Sequence, residues 1–310
     1  MIGIDVGGAN LKVATGEGVF IHYCPLWEES PVRGLLRQYR GRGEDAAVVI
    51  SGELADCFSS KEEGIRFIVD AVQEVFPKAR FYGTDAVFHG TAVPALAAAN
   101  WLVSAEYLMD RYPGSLLVDF GSTTTDIIPL TGMEHLKGLT DLARLRNRFL
   151  VYTGLLRTTI PALIREVAIS GVLTPVCPEY FACSADAHLV LGHITSSAYT
   201  IDPPDRKGTD RVSALRRLSR VVCADPAEIG EEGAVAIARA FWDAQRSLIC
   251  GAVQQVAAAC GTRGVLCAGT GAGLVTGLTR GTDLFQAIGP AADALPAFAV
   301  REVAKRRPGS

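Results

Sequence analysis

The sequence contains neither a Cys-x-x-Cys nor a His-x-His pair, although it has eight cysteines and five histidines. That absence argues against the usual zinc layouts. The closest cysteines, Cys177 and Cys183, have no second pair to complete a site and read as core or loop thiols. Several of the eight lie in apolar segments, where a thiol behaves as a small hydrophobe, and a reducing cytoplasm is the expected location. Neither sign of charge is in excess: 30 Lys and Arg stand against 33 Asp and Glu, and the formal net charge is −3. With the basic residues spread along the chain, no footprint for nucleic acid or an anionic membrane is present. The Lys305-Arg306-Arg307 cluster reads as a solvated tail. The least polar stretch, Gly90 to Ala105, includes Pro94 and Asn100 and is too short to span a bilayer, so it reads as buried helix. Met1 leads straight into an apolar segment without a basic or apolar leader, so no secretory signal is expected. No low-complexity linker interrupts the chain, and 49% hydrophobic residues over 310 positions suffice for a large core.

What the chain does have is three glycine-rich turns, each after a short apolar run. They are Ile2-Gly-Ile-Asp5-Val-Gly7-Gly8-Ala-Asn10-Leu-Lys12, Leu117-Val-Asp119-Phe-Gly121-Ser122-Thr123-Thr124-Thr-Asp126 and Val265-Leu-Cys-Ala-Gly269-Thr-Gly271-Ala-Gly273. In the first two an aspartate ends a strand, and the glycines let backbone N–H groups converge on an anion without a Cβ in the way. Asp5 and Asp119 can together hold the Mg²⁺ that accompanies a phosphate. Gly7, Gly8, Asn10, Lys12, Gly121, Ser122, Thr123, Thr124, Gly269, Gly271 and Gly273 are the candidate phosphate-binding positions.

The pattern between these turns predicts a duplicated α/β chain. Short strands at Met1–Val6, Leu11–Thr15 and Val19–Tyr23 form a meander. A strand at Ala46–Ile50 follows, then a helix carrying Ile65, Ile68, Val69, Val72 and Phe76, a strand at Ala79–Tyr82, a short strand at Ala86–Phe88 and a helix over Val93–Arg111. The order restarts with strands at Leu116–Phe120 and Thr123–Ile128 and a third around Met133–Leu136. A long helix, Ala234–Ala259, leads to a strand at Val265–Ala268. The first lobe is expected to span residues 1–112, the second 113–289, with a terminal helix at Ala294–Ala304 returning to the first.

Around this frame, Asp126 is the first candidate base. Glu53, just beyond the strand Ala46–Ile50, is the second, and Asp56 lies beside it. Ser60, three residues before Glu63, has capping-box spacing and reads as a helix start. His89 is a cleft candidate. Arg157 can fork onto a phosphate, while Tyr152 and Tyr180 can wall a flat substrate. The loop Thr200–Asp210 is a surface connection or a lid, with Arg206, Lys207 and Arg211 as possible carboxylate partners.

The order and spacing of the three turns resemble the phosphate-1, phosphate-2 and adenosine motifs of the acetate and sugar kinase/Hsp70/actin superfamily. This implies a ribonuclease H-like, two-lobe fold around a phosphate-binding cleft. More narrowly, Gly3–Lys12, Ser51–Phe58, Val118–Asp126 and Pro178–Ala182 with Ser184-Ala-Asp186 resemble hydantoinase/oxoprolinase-related proteins of tetrahydromethanopterin-linked one-carbon metabolism. Within that group the resemblance implies an enzyme of methanofuran biosynthesis. Such an enzyme joins an aminomethylfuran-methyl diphosphate to the phenol oxygen of γ-glutamyltyramine and releases pyrophosphate. Asp126, Glu53 and Asp119 would be catalytic, and ATP would not be required. Ala9 and Lys12 stand where hydantoinase and oxoprolinase subunits carry a threonine and an acidic residue, which argues against simple ring opening. An ATP-dependent small-molecule kinase is the alternative, a nucleotide-gated scaffold a weaker one. The expected partners are small molecules, and the sequence leaves room for a homodimer.

Overall fold

The computed structural model describes residues 1–28, 31–43 and 45–307. The first part of the chain runs β1 (Ile2–Gly7), β2 (Asn10–Ala14), β3 (Val19–Tyr23), α1 (Val32–Arg37), β4 (Ala46–Ser51), α2 (Lys61–Gln73), β5 (Arg80–Tyr82), β6 (Phe88–His89) and α3 (Asn100–Met109). The second runs β7 (Ser115–Phe120), β8 (Thr125–Pro129), α4 (Asp141–Arg146), β9 (Leu150–Val151), β10 (Glu166–Ile169), β11 (Val172–Pro175), α5 (Ser184–Val190), α6 (Arg211–Arg220), α7 (Pro226–Cys260), β12 (Gly264–Ala268), α8 (Ala272–Thr279), β13 (Thr282–Asp283), α9 (Leu284–Ile288) and α10 (Leu295–Arg306).

The two main sheets repeat one topology. The first is ordered β3-β2-β1-β4-β5-β6 and the second β9-β8-β7-β12-β13. In each, an antiparallel meander of three strands is extended on the side of its first strand by two parallel strands, and in the first sheet β6 adds an antiparallel edge. The chain is thus a duplicated ribonuclease H-like α/β fold.

Strand alternation explains the layering. On β1, Ile2, Ile4 and Val6 face an outer core with Val48, Ile50 and the apolar side of α2. On β7, Leu116, Val118 and Phe120 face the other outer core, with α5, α6 and α7. Burying Phe120 completely is worth roughly 2–3 kcal/mol. Between the sheets lies a third apolar layer, in which Ala47, Val49, Leu117, Ile128 and Leu266 enclose α3 and α10. The terminal helix therefore packs across β1 and β4. Gly3 is glycine because a Cβ there would collide with Ala297 O and Arg301 of α10.

Several local expectations are corrected. Met133–His135 is a short 3-10 turn, entered through Gly132 at φ +155°, and the third strand of the second meander is β9 instead. The helix expected over Val93–Arg111 is broken: Pro94 opens a 3-10 turn, Ala98 adopts φ +48°, and α3 begins only at Asn100. Ala86, at φ +61°, belongs to a turn rather than to β6. Ser60 does cap α2, accepting from Glu63 N–H. Asp225 caps α7, which continues well N-terminal of Ala234 and bends at Gly230. The basic cluster near the end is ion-paired: Lys305 meets Glu302, Arg306 meets Asp110 at 2.8 Å and Arg307 meets Glu106. Among the described residues, no helix is long and apolar enough to cross a membrane.

Candidate functional site

The same alternation that sends Ile4 and Val6 outward turns Asp5 inward, toward the gap between the sheets. Register carries the argument further: Lys12 lies opposite Asp5 on β2, and Asp126 lies opposite Asp119 on β8, so each pair shares a face. The lobes bring the two pairs together. Asp119 senses the charges of both Asp5 and Lys12 from the other lobe.

Burial shapes the acidity of this group. Asp119 is pushed up to about 6, first by desolvation, then by the Asp126 and Asp5 charges, with Lys12 opposing. Asp5 is raised by burial, against Lys12 and a 3.2 Å hydrogen bond from Ser51 Oγ. Asp126 is also raised by burial, yet it carries a counter-charge. Arg144, almost fully buried, donates to it at 2.5 Å and to Asp141 at 2.8 Å, with its guanidinium 4.5 Å from the centre of the Trp101 ring. Glu53 is 2% exposed. Among the described residues its Oε2 has no hydrogen-bond partner; burial raises its pKa, hydrogen bonds from the Glu53 and Ala98 backbone and the Lys61 charge oppose, and the Asp141 charge adds to the rise. Asp56, by contrast, is exposed on the turn that follows.

The glycine turns after β1 and β7 are tied from behind in the same way. The carbonyls of Gly8 and Ala9 accept from Leu26 and Cys24, just past β3. Those of Gly121 and Ser122 accept from Leu155, Leu156 and Arg157, just past β9. Turning carbonyls outward in this way favours N–H groups toward an anion. Close packing reinforces it. A Cβ on Gly52 would stand 2.8 Å from Gly7 C, and one on Gly154 would stand 2.5 Å from Thr123 N. Gly8 and Gly273 face open space, whereas Gly269 and Gly271 press on Asp119 and the Phe120 ring.

A polar relay backs the second turn. Gln245 on α7 donates to Thr153 Oγ1 and Gly154 O, both at 2.9 Å, and its carbonyl accepts from His188 Nε2 at 2.9 Å. His188 Nδ1 must then accept from His193 Nδ1. Burial pushes His188 down to about 3, so it stays neutral.

Of the residues expected to wall the substrate, Arg157 and Tyr180 come together. Arg157 lies 5.3 Å from the Trp27 ring of the first lobe and sets its charge against the Tyr180 hydroxyl, which burial pushes up to about 12. Tyr23 joins them, sensing Asp202 and Arg157. Tyr152 is 69% exposed. His89 is not part of this group: it pairs with Asp85 at 2.9 Å on the edge hairpin. Arg211 is directed to Val190 O and Glu231, away from a carboxylate substrate, while Arg206 and Lys207 are exposed. Asp186, from the Ser184-Ala-Asp186 motif, is held elsewhere. It is fully buried and accepts from Arg217, which also holds Asp205 and Gly208 O and so anchors the loop containing Asp202. Trp27, Tyr23, Arg144 and Gln245 were not legible in the sequence, because their roles depend on which segments meet.

Asp5 and Asp119 could hold a Mg²⁺ ion whose remaining ligands come from phosphate and water. Among the described residues no three His, Cys, Asp or Glu side chains converge on one point. Mg²⁺ needs only one or two carboxylates when phosphate oxygens and water complete its shell, and the mutual repulsion of Asp5 and Asp119 is what such a cation relieves.

The family described as hydantoinase/oxoprolinase matches residues 44–301. A protein of Methanocaldococcus jannaschii, (4-{4-[2-(γ-L-glutamylamino)ethyl]phenoxymethyl}furan-2-yl)methanamine synthase, is 38% identical over 264 residues, covering 80% of this chain and 79% of that one. Its namesake from Methanococcus vannielii is 38% identical over 156 residues, covering 50% of this chain and 70% of that one. A solved glucokinase of the ROK family from Streptomyces griseus aligns over 99% of both chains at 13% identity with a TM-score of 0.46. Nucleotide-free acetone carboxylase aligns over 94% of this chain and 51% of its own at 12% identity with a TM-score of 0.45.

Proposed function

Since the chain belongs to the hydantoinase/oxoprolinase family, we propose that it performs the reaction named for its methanogen relatives, an ether synthesis in methanofuran biosynthesis. An aminomethylfuran-methyl diphosphate reacts with the phenol of γ-glutamyltyramine. The phenol oxygen bonds to the furfuryl carbon, the carbon–oxygen bond to diphosphate breaks, and pyrophosphate and the phenolic proton leave. The observation that carries this reading is 38% identity over 80% of the chain to a relative so named. The cleft supports it with two anion-facing turns and an aromatic edge.

The furan ring stabilises positive charge at the reacting carbon, so the protein's task is to accept negative charge on the leaving group and a proton from the nucleophile. The turns at Gly7–Asn10 and Gly121–Thr124 and the Lys12 ammonium hold the diphosphate. Asp5 and Asp119 would hold a Mg²⁺ ion, which would supply positive charge to the leaving diphosphate. Trp27, Arg157 and Tyr180 orient the phenol ring. A free phenol has a pKa of about 10, so a base must take its proton as the bond forms. Burial raises both Glu53 and Asp126, but Glu53 suits that role better, because among the described residues its Oε2 has no hydrogen-bond partner, whereas Asp126 is bound to Arg144. Asp126 instead fixes Arg144 between the lobes.

The test is pyrophosphate release by purified protein given both substrates and Mg²⁺ without ATP. Release that requires both substrates supports the proposal. ADP formation with ATP and a small alcohol, and no release without it, identifies a kinase.

A further inference from the structure

Outside the cleft, two thiols from distant segments meet. Cys177 Sγ and Cys223 Sγ are 3.1 Å apart, although 46 positions separate them in sequence. Cys223 is exposed and Cys177 partly so. The backbone delivers both. Cys177 N–H donates to Val221 O at 2.8 Å, Cys223 N–H to Arg220 O at 2.9 Å, and Ala224 N–H to Ser219 O at 3.2 Å. The last turn of α6 thereby places Cys223 at φ +57°, a conformation that non-glycine residues adopt only where the surroundings impose it. Cys183, six positions after Cys177, is a core thiol buried against Tyr199 and Asp186. A metal reading fails, since among the described residues no third ligand joins the two sulfurs.

We propose that Cys177 and Cys223 form a reversible intrachain disulfide by exchange with a low-molecular-weight disulfide such as oxidised glutathione. The Cys223 thiolate attacks one sulfur of the external disulfide, forming a mixed disulfide and releasing one thiolate. The Cys177 thiolate then attacks Cys223 Sγ and releases the second. The external disulfide gains two electrons, the protein loses two, and the protons pass to the two thiols released. The bond fastens the segment Cys177-Pro178-Glu179-Tyr180 to the end of α6, the helix that holds Asp186 and Asp205 through Arg217. Oxidation thus reaches the Tyr180 edge of the cleft while leaving the carboxylates untouched.

The test is incubation of the full chain with oxidised glutathione, followed by intact mass, thiol count in denaturant and peptide mapping. The expected result is a loss of about 2 Da and of two titratable thiols, a linked Cys177–Cys223 peptide, and full reversal by dithiothreitol. The Cys177→Ser variant should instead retain a glutathione adduct at Cys223, because nothing resolves it. Wild-type protein that keeps all its thiols, that retains the adduct at Cys223, or that links a different pair overturns the proposal.

Discussion

Gly269 and Asp119 touch: a Cβ on the glycine would overlap the Asp119 carboxylate, and Gly269 sits at φ +85°. The third glycine turn thus packs directly on an aspartate of the second. Gly269→Ala must push the carboxylate aside and strain the backbone. We expect a loss of about 2–3 kcal/mol in stability and at least a tenfold fall in kcat/KM, measured by denaturant titration and steady-state kinetics. A variant with unchanged stability and turnover would show that this contact has no role.

Asp119 predicts a pH dependence. Its pKa is raised from 3.8 to about 6, so the folded protein holds this proton more tightly than the unfolded chain. Its contribution to stability is therefore greatest at low pH and is lost as pH rises through 6. Binding of Mg²⁺ with diphosphate runs the opposite way, because the cation competes with the proton. Affinity should fall about tenfold per unit below pH 6. Calorimetry of Mg²⁺–pyrophosphate binding between pH 5 and 7 checks this, and Asp119→Asn should flatten the profile.

Glu53 and Asp126 separate on substitution. Glu53→Gln should lower kcat by roughly a hundredfold or more with KM changed little, as removal of a general base does. Asp126→Asn should chiefly destabilise, by about 2–3 kcal/mol, since buried Arg144 loses its charged partner but keeps Asp141. Equal loss of kcat in both, with stability unchanged in Asp126→Asn, would return Asp126 to the catalytic role.

The contact between Trp27 and Arg157 crosses the lobes. Trp27→Ala should raise KM for the phenolic substrate about tenfold and leave that for the diphosphate within about twofold, consistent with one aromatic contact of about 1.5 kcal/mol. Initial rates with each substrate varied in turn decide it.

Gln245→Leu should remove the partner of His188 Nε2 and leave the Thr153 hydroxyl with Thr158 Oγ1. We expect about 2–3 kcal/mol of destabilisation together with a higher KM for the diphosphate, because Gly154 abuts Thr123. Destabilisation without a change in KM would confine the relay to a structural role.

Most of the frame could be read from the sequence, because strand period and glycine turns are local properties. Asp5 and Asp119 were found from an aspartate ending an apolar run, and their meeting follows from the duplication. The third strand of the second meander was misplaced because β9 is only two residues long and follows an intervening helix. His89 follows a strand, which points it toward the cleft on local grounds, but its partner lies in its own hairpin. Arg144, Trp27 and Gln245 gave no local signal. Each acquires its role from a segment far away in sequence, and only the packed structure identifies that segment.

The most direct test of the central claim uses a phenolic substrate with ¹⁸O at the hydroxyl, the diphosphate and Mg²⁺, without nucleotide. The account predicts an ether that retains the label and unlabelled pyrophosphate in equal amount. No ether without ATP, or label appearing in a phosphate, would contradict it.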